Sequence, residues 1–252
     1  MSYLQGVYPV TQMQELSRET YSMWISCPQM ADLAQPGQFV HIKTEGFFLR
    51  RPISICQVRP DGLRLIFSCR GEGTRQLSQL KAGDFLDLMG PLGHGFDLLP
   101  KESKVVLVGG GIGTPPMLSL AEHYGAGAVA CLGFRSKNQA ILCDDLKATG
   151  CIVQVATDDG SLGKKGHAGL LLEQQLKSDL PQRIYACGPL PMLRAVKDLA
   201  QQYQVSCQLS LEERMACGVG ACLVCACKAA GKDAPVHVCK EGPVFWAQEV
   251  EL

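Results

Sequence analysis

The sequence has no net charge and no long apolar run, and its first ten residues do not predict a leader. From each of these observations we expect one class of protein to be ruled out. Its 24 Lys and Arg residues balance 24 Asp and Glu residues, so no net positive field attracts nucleic acid or an anionic membrane. No uninterrupted apolar run approaches the roughly 18 residues of a membrane helix. Residues Met1 to Val10 contain neither the basic nor the apolar region of a secretory signal peptide.

Motifs of hydrolases and P-loop proteins are also absent. The sequence contains no G-x-S-x-G elbow, no H-E-x-x-H metal site and no G-K-[ST] phosphate loop. Its five histidines are dispersed, and none pairs with another at metal-binding spacing, so each is interpreted as a surface or core residue. They are His41, His94, His123, His167 and His237.

Cysteine, in contrast, is abundant. The chain has 252 residues, of which 46% are hydrophobic and 19% charged, so it can bury a core, and 13 are cysteines. Six cysteines fall within residues 207–239. An odd total with this clustering does not resemble a disulfide framework, and clustered cysteines in a reducing compartment more often bind metal or do redox work. We therefore expect a cytoplasmic protein.

Three successive patterns divide the chain. Residues 1–100 contain short alternating runs separated by turn signals, which predicts an antiparallel sheet or small barrel. In residues 101–206, continuous apolar runs alternate with helical segments, which predicts a parallel sheet flanked by helices. Residues 207–252 are too few for an independent apolar core, and a segment of this size needs a cross-link such as a disulfide or a bound metal. The predicted helices of the middle part are Gln139 to Thr149, Leu170 to Lys177 and Pro191 to Gln202.

Four cysteines of the last part have the spacing of an iron–sulfur site. Cys217, Cys222 and Cys225 form a C-x4-C-x2-C pattern that Cys239 follows, and this arrangement is typical of plant-type [2Fe–2S] clusters. Structural zinc sites usually use two C-x2-C pairs, and only one occurs here. Cys227 competes with Cys225 as the third ligand. Since Cys225 fits the spacing, Cys227 is interpreted as a bystander.

Two glycines within this loop have a physical role. Gly218 and Gly220 allow the backbone to curl closely around a cluster and turn its N–H groups toward the sulfurs. Such donors stabilise added negative charge and tune the reduction potential.

Two segments of the middle part are candidates for binding a nucleotide. Residues 109–113, Gly-Gly-Gly-Ile-Gly, lie between a predicted strand and a helix that starts near Pro115, which suits a pyrophosphate. Pro115 stands where the usual fingerprint has its third glycine, so a tight packing turn is the alternative. Cys187-Gly-Pro189 lies at the carboxyl end of a predicted parallel strand, where ligands bind in open α/β folds. A plain turn with one buried thiol is the alternative there.

A further candidate anion site lies in the first part. Arg51 offers a planar donor fork suited to phosphate, and Ser54 offers a hydroxyl. Gly73 and Thr74 can add backbone and hydroxyl donors. Taken alone, this pattern is weak, and a surface arginine before a proline is the default interpretation.

Five motifs, taken in order along the chain, resemble the conserved motifs of the ferredoxin–NADP reductase superfamily. They are R-P-I-S, G-E-G-T, G-G-G-I-G-T-P-P, T-D-D-G-S and C-G-P. The resemblance covers almost the whole chain. The C-x4-C-x2-C pattern followed by Val-Cys-Lys-Glu-Gly-Pro-Val-Phe at residues 238–245 narrows it to the electron-transfer subunits of type B, NAD-linked dihydroorotate dehydrogenase. The segment Met-Ala-Cys-Gly-Val-Gly-Ala-Cys at residues 215–222 is particularly specific for this resemblance. That family uses FAD, a [2Fe–2S] cluster and NAD.

The resemblance implies a separate binding role for each of the three parts of the chain. Residues 1–100 would form an FAD-binding β-barrel, residues 101–206 a Rossmann-like NAD-binding domain and residues 207–252 a small cluster-binding segment. The iron ligands would be Cys217, Cys222, Cys225 and Cys239. FAD would contact Arg51, Pro52, Ile53, Ser54, Phe67, Ser68, Cys69, Gly73 and Thr74. NAD would contact Gly110, Gly111, Ile112, Gly113, Thr114, Cys187, Gly188 and Pro189.

The resemblance also implies a partner. A chain filled by these three parts leaves no room for a TIM barrel of about 250 residues, so dihydroorotate chemistry would lie on an FMN-containing catalytic subunit. The implied assembly is a heterotetramer with two copies of each chain, electrons passing from FMN through the cluster and FAD to NAD⁺.

Two other interpretations stay open at this point. The chain could be the reductase subunit of another flavin and iron–sulfur complex, such as an NADPH-dependent ferredoxin reductase, a sulfide dehydrogenase or a hydrogenase. Arg135 could bind a 2′-phosphate or be a solvated loop residue, so the sequence does not decide between NAD and NADP. The second interpretation is a non-catalytic flavoprotein that senses redox state.

Overall fold

A computed structural model describes residues 3–231 and 234–252, which form a closed barrel, a seven-stranded sheet and a two-stranded hairpin. The barrel is antiparallel throughout, with the strand order β1-β2-β5-β4-β3-β6. Its strands are β1 (Leu4–Ser17), β2 (Thr20–Ser26), β3 (Phe39–Ile42), β4 (Arg51–Arg59), β5 (Gly62–Ser68) and β6 (Phe85–Leu92), and its helices are α1 (Pro28–Ala31) and α2 (Glu72–Ser78).

The barrel interior is filled by aliphatic side chains. Met23 and Ile25 of β2, Leu63 and Leu65 of β5, and Leu88 of β6 are fully buried in one cluster. These residues occur at every second position, as a pleated strand with one face inward requires. The sequence prediction of an antiparallel barrel in this part is confirmed.

The second sheet has the order β10-β9-β8-β7-β11-β12-β15, and all neighbouring strands are parallel except β12 and β15. A mostly parallel sheet with helices after its strands confirms the predicted α/β class. The strands are β7 (Val105–Gly110), β8 (Ala128–Phe134), β9 (Ile152–Thr157), β10 (Lys164–Lys165), β11 (Arg183–Cys187), β12 (Ser206–Ser210) and β15 (Val244–Trp246). The helices are α3 (Pro115–Tyr124), α4 (Cys143–Ala148), α5 (Ala168–Ser178) and α6 (Leu190–Gln202).

One helix begins later than the sequence indicates. The predicted helix from Gln139 is instead a 3-10 turn at Lys137–Gln139, and α4 begins only at Cys143. Leu142 has a φ of 61°, which interrupts a right-handed helix. Ile141 and Leu142 are both buried. We attribute the break to the inward placement of these two consecutive apolar side chains.

The barrel and the sheet share a core. Cys56 and Ile66 on the outer face of the barrel pack in one cluster with Met117 and Leu120 of α3. The Ser119 hydroxyl donates to the Cys56 carbonyl at 2.7 Å. This packing fixes the end of β5 beside the carboxyl ends of the parallel strands.

The last part of the chain has no core of its own. Its hairpin, β13 (Ala226–Cys227) and β14 (Val236–His237), stands beside the larger sheet, which β15 joins. Cys225 and Cys239 belong to the same apolar cluster as Phe39 and Leu92 of the barrel and Leu209 of β12. This segment is therefore held against both larger units, as its shortness requires.

A membrane crossing needs length and apolar character in one helix. None of the helices within residues 3–231 and 234–252 has both.

Candidate functional site

The Arg-Pro-Ile-Ser motif opens β4 beside the start of α2. The Arg51 guanidinium lies over the Phe47 ring, 4.7 Å from its centre. A Cβ atom on Gly73 would lie 2.5 Å from the Nε and Nη2 atoms of Arg51, so a side chain at residue 73 would force the guanidinium to move. Two motifs that are about twenty residues apart in the sequence therefore meet in the structure.

Thr74 uses its hydroxyl to shape this turn. Its Oγ1 atom accepts hydrogen bonds from the N–H groups of Arg70 at 2.8 Å and Gly71 at 3.1 Å, and it donates to the Gly71 carbonyl at 2.9 Å. Thr74 is buried. Its hydroxyl thus holds the turn that Arg51 contacts.

The other proposed flavin contacts divide between two environments. Pro52, Ile53 and Ser54 are half-buried along β4, where they pair with β3. Phe67 is buried and stacks on Tyr21, with ring centres 6.0 Å apart, so it faces the barrel core.

Ser68 and Cys69, at the end of β5, face a cavity. This cavity of about 700 Å³ lies between the barrel and the carboxyl ends of β7, β8 and β11. Ligands bind at this edge of open α/β sheets. Of the proposed nucleotide contacts, the lining includes Gly110, Gly111, Ile112, Gly113, Gly188 and Pro189.

The glycine turn packs tightly against the end of β11. A Cβ atom on Gly113 would lie 2.3 Å from the Cys187 carbonyl oxygen, and Gly111 has a φ of 53°. Both positions therefore require glycine, for space and for backbone conformation respectively. Pro115 then begins α3 as the sequence predicts.

Thr114 and Cys187 lie behind this turn instead of lining the cavity. Thr114 is fully buried, and its hydroxyl has no hydrogen-bond partner among the described residues. Burial, together with the nearby Glu212 carboxylate, raises the pKa of Cys187 to about 12. This thiol is therefore neutral at physiological pH.

The cavity also brings together residues that no sequence motif marked. Arg18, Arg70 and Glu212 line it, although they come from three distant segments. Two residues that the sequence analysis did name also line it: Arg135, the candidate 2′-phosphate contact, and Asp158 of the T-D-D-G-S motif. They lie directly after β8 and β9, whose carboxyl ends meet at the same edge of the sheet.

The four cysteines with iron–sulfur spacing come together beside the barrel. The Cys222 thiol lies 3.4 Å from the Cys217 sulfur, and Cys225 lies close enough to Cys239 to help raise the pKa of its thiol. The cysteines therefore fall into two pairs. Within the described ranges 3–231 and 234–252, no three His, Cys, Asp or Glu side chains are grouped as a single metal ion requires. Two thiol pairs fit the four-thiolate shell of a [2Fe–2S] cluster.

Backbone N–H groups of the loop point at these sulfurs. Cys217 accepts from Val219 at 3.5 Å and from Ala221 at 3.2 Å, and Cys239 accepts from Gly220 at 3.2 Å. Gly218 and Gly220 have φ values of 73° and 76°, which is the left-handed conformation that glycine adopts readily. The loop therefore has the donor arrangement that the sequence predicts.

The thiols of this loop have opposite tendencies to ionise. Burial opposes ionisation of Cys217, but hydrogen bonds from Val219, Cys222 and Ala221 prevail and lower its pKa to about 6. Burial, with Cys225 adjacent, raises the pKa of Cys239 to about 12. A bound metal deprotonates such a thiol, so the donor set fits iron.

Cys227 takes part in neither of the sulfur contacts described above. It belongs to β13, where it pairs with Val236 of β14. Burial raises the pKa of its thiol, with Glu213 and Cys225 near enough to contribute. The interpretation of Cys227 as a bystander stays a prediction.

Comparison with known proteins gives a consistent result across the chain. A family model described as the iron–sulfur cluster binding domain of dihydroorotate dehydrogenase B matches residues 212–251. The chain is 42% identical over 255 residues to the dihydroorotate dehydrogenase B (NAD(+)) electron transfer subunit of Geobacillus thermodenitrificans, covering 96% of this chain and 97% of the relative. It is 40% identical over 265 residues to a subunit of the same name from Enterococcus faecalis, covering 100% of both.

A solved structure extends the likeness to the fold. The chain is similar to an NADH-dependent reduced ferredoxin–NADP oxidoreductase studied for flavin-based electron bifurcation. The TM-score is 0.88 at 27% sequence identity, and the match covers 98% of this chain and 90% of the other. The barrel, the sheet and the cluster segment are thus all within the shared region.

Proposed function

Because the chain belongs to the family of dihydroorotate dehydrogenase B electron transfer subunits, we propose that it carries electrons between a dihydroorotate-oxidising partner and NAD⁺. It is an oxidoreductase subunit that uses FAD, a [2Fe–2S] cluster and NAD. The observation that carries this proposal is the 42% identity over 96% of the chain. The matching cluster-binding domain at residues 212–251 supports it.

The barrel face around Arg51 is the proposed flavin site. Arg51 holds a phosphate oxygen with its planar donor fork. Gly73 leaves the space that keeps this guanidinium in place, and Thr74 holds the turn. Pro52, Ile53, Ser54, Phe67, Ser68 and Cys69 complete the proposed set, with Phe67 supporting the site from the barrel core.

The cavity at the sheet edge is the proposed site for NAD. Gly110 to Gly113 let the dinucleotide approach the backbone at the start of α3, and Thr114 lies behind them. Gly188 and Pro189 line the same cavity as Cys69, with Cys187 behind as a neutral thiol. In this proposal the nicotinamide would lie in this cavity, which Ser68 and Cys69 of the proposed flavin set also line.

The cluster loop is the proposed exit for single electrons. Cys217, Cys222, Cys225 and Cys239 hold the iron, and the N–H groups of residues 219–221 stabilise added charge. A flavin exchanges two electrons with nicotinamide and one electron at a time with an iron–sulfur cluster, so it supplies the step between them. The chain's own contribution is to hold both sites at fixed positions on one packed core.

Oxidation of dihydroorotate belongs to a partner subunit in this proposal. Its proposed form is an FMN-containing catalytic subunit, with two copies of each chain in the complex. Leu223 and Val224, between the cluster cysteines, are 71% and 52% exposed, which suits a docking surface at the place where electrons pass. We propose a reducing, cytoplasmic location, since the thirteen cysteines, all within the described residues, form no disulfide.

An assay of the purified chain with and without its partner tests this function. Alone, the chain should reduce a dye with NADH but form no orotate from dihydroorotate. With the FMN-containing subunit added, dihydroorotate and NAD⁺ should give orotate and NADH. Full dihydroorotate oxidation by the chain alone would contradict the proposal.

A second candidate function rests on the structural likeness to the reduced ferredoxin–NADP oxidoreductase. The chain would then serve a different flavin and iron–sulfur complex, and Arg135 in the cavity lining would contact a 2′-phosphate. Comparison of NADH with NADPH as reductant separates the two candidates. The dihydroorotate dehydrogenase assignment requires the preference for NADH.

A further inference from the structure

A histidine in the barrel wall lies between the proposed flavin site and the cluster loop. His41 is in the middle of β3 and pairs with Pro52 of the flavin motif. Its side chain is fully buried, and Arg50 donates to its carbonyl at 3.3 Å. The backbone of His41 is thus fixed to the strand that carries the proposed flavin contacts.

The imidazole of His41 faces the loop that carries the first cluster cysteine. A Cβ atom on Gly218 would lie 2.5 Å from the His41 Nδ1 atom and 3.1 Å from Cε1. The Nδ1 edge of the ring therefore lies against the residue that follows Cys217. A larger residue at 218 would displace either the ring or the loop.

Neither ring nitrogen of His41 has a hydrogen-bond partner among the described residues. An imidazole carries at least one N–H donor. Buried donors are nearly always paired, and the loop that lies against this ring carries the sulfurs of the cluster cysteines, which accept hydrogen bonds.

We propose that His41 donates a hydrogen bond from the flavin barrel to a sulfur of the [2Fe–2S] cluster or of its Cys217 ligand, and so raises the cluster's reduction potential and holds the loop against the flavin site. This inference rests on the proposed function, because it needs the cluster to be bound. It assigns His41 a role that its isolated position in the sequence did not suggest.

The chemistry of the loop gives the expected direction of the effect. The N–H groups of Val219, Gly220 and Ala221 already donate to sulfurs from within the loop. His41 adds a donor from another structural unit. Hydrogen bonds to the sulfurs stabilise the more negative, reduced state, so removal of a donor disfavours reduction.

Redox titration of purified, loaded variants, monitored by electron paramagnetic resonance of the reduced cluster, tests the proposal. His41→Phe keeps a planar ring and removes the donor, whereas His41→Gln keeps an N–H. His123→Phe is the matched control, since His123 lies on α3 and contacts the Leu99 carbonyl. Iron, sulfide and FAD contents and NADH reduction of the flavin are measured on every sample.

We expect the reduction potential of the cluster to fall strongly in only one of the three variants. His41→Phe should lower the equilibrium constant for cluster reduction about tenfold, which is about 59 mV for one electron. His41→Gln should recover most of this loss, and His123→Phe should show none. An unchanged potential in loaded His41→Phe would overturn the proposal, because a ring that only packs would give this result.

A measurement on the native sequence covers the case in which His41→Phe fails to load. Protein labelled with ¹⁵N-histidine should show a nitrogen hyperfine coupling to the reduced cluster, and His41→Gln should remove it. Persistence of the full coupling in His41→Gln, or its absence from the native protein, would overturn the inference. Failure of the proposed function would look different, since it would appear as protein without flavin or iron.

Discussion

The guanidinium of Arg51 lies so close to Gly73 that a Cβ atom there would come within 2.5 Å of its Nε and Nη2 atoms. This contact joins β4, which begins with the Arg-Pro-Ile-Ser motif, to the first turn of α2. It also means that the position of the Arg51 donor fork depends on the absence of a side chain at residue 73.

The first prediction concerns this contact. Gly73→Ala should displace the Arg51 guanidinium and weaken FAD binding roughly tenfold to hundredfold, because a hydrogen bond to a charged group contributes about 1.5–3 kcal/mol. Equilibrium dialysis or flavin fluorescence measures the affinity.

Gly71→Ala is the matched control. Gly71 has no atom within 4 Å of an added Cβ, and its φ of −171° is ordinary extended backbone. This variant should bind FAD nearly as the wild type does. Equal affinities in the two variants would contradict the assignment of Arg51 to the flavin.

The second prediction separates the cluster cysteines from their neighbour. Cys222→Ser should lose most of its iron and visible absorption, because it removes one member of the Cys217–Cys222 pair. Cys227→Ser should keep both, because Cys227 lies in the β13–β14 hairpin. Iron analysis and absorption spectra decide the matter, and a bleached Cys227→Ser protein would show that the ligand assignment is wrong.

The third prediction concerns the exposed apolar side chains of the cluster loop. Leu223→Glu should leave cofactor content unchanged but weaken binding of the catalytic subunit at least about tenfold, because it places a charge in an apolar contact. Leu180→Glu is the control, since Leu180 is 55% exposed but precedes β11 at the amino end of the strands. Analytical ultracentrifugation measures assembly. Undiminished assembly of Leu223→Glu would place the partner elsewhere.

The fourth prediction uses thiol chemistry to locate the flavin. Cys69 is half-buried at the cavity, so iodoacetamide should modify it faster after FAD removal. Cys143, half-buried on α4, should react equally in both forms. Cys187 should stay unmodified from pH 7 to 9, since burial raises its pKa to about 12 and the thiolate is the reactive form. Mass spectrometry of the labelled peptides checks all three, and equal labelling of Cys69 in both forms would contradict its place beside the flavin.

Much of this architecture is predictable because local patterns carry it. The alternating runs predict the barrel, and the apolar runs with intervening helices predict the parallel sheet. The positive φ values of Gly218 and Gly220 follow from a loop that must curl around a cluster. In each case a short stretch of sequence contains the whole signal.

Other features depend on contacts between distant segments. Arg18 and Glu212 line one cavity although nearly two hundred residues separate them. His41 is indistinguishable in the sequence from a core histidine, and only the packing of Gly218 against its ring reveals its place. The late start of α4 likewise reflects the burial of Ile141 and Leu142, which helical periodicity alone does not indicate.

An anaerobic titration of the purified chain with NADH, followed by absorption and combined with iron, sulfide and flavin analysis, tests the central claim most directly. The account predicts one FAD and two irons per chain, with uptake of about three electrons, two on the flavin and one on the cluster. Protein that contains zinc without flavin, or a flavin that NADH does not reduce, would contradict it.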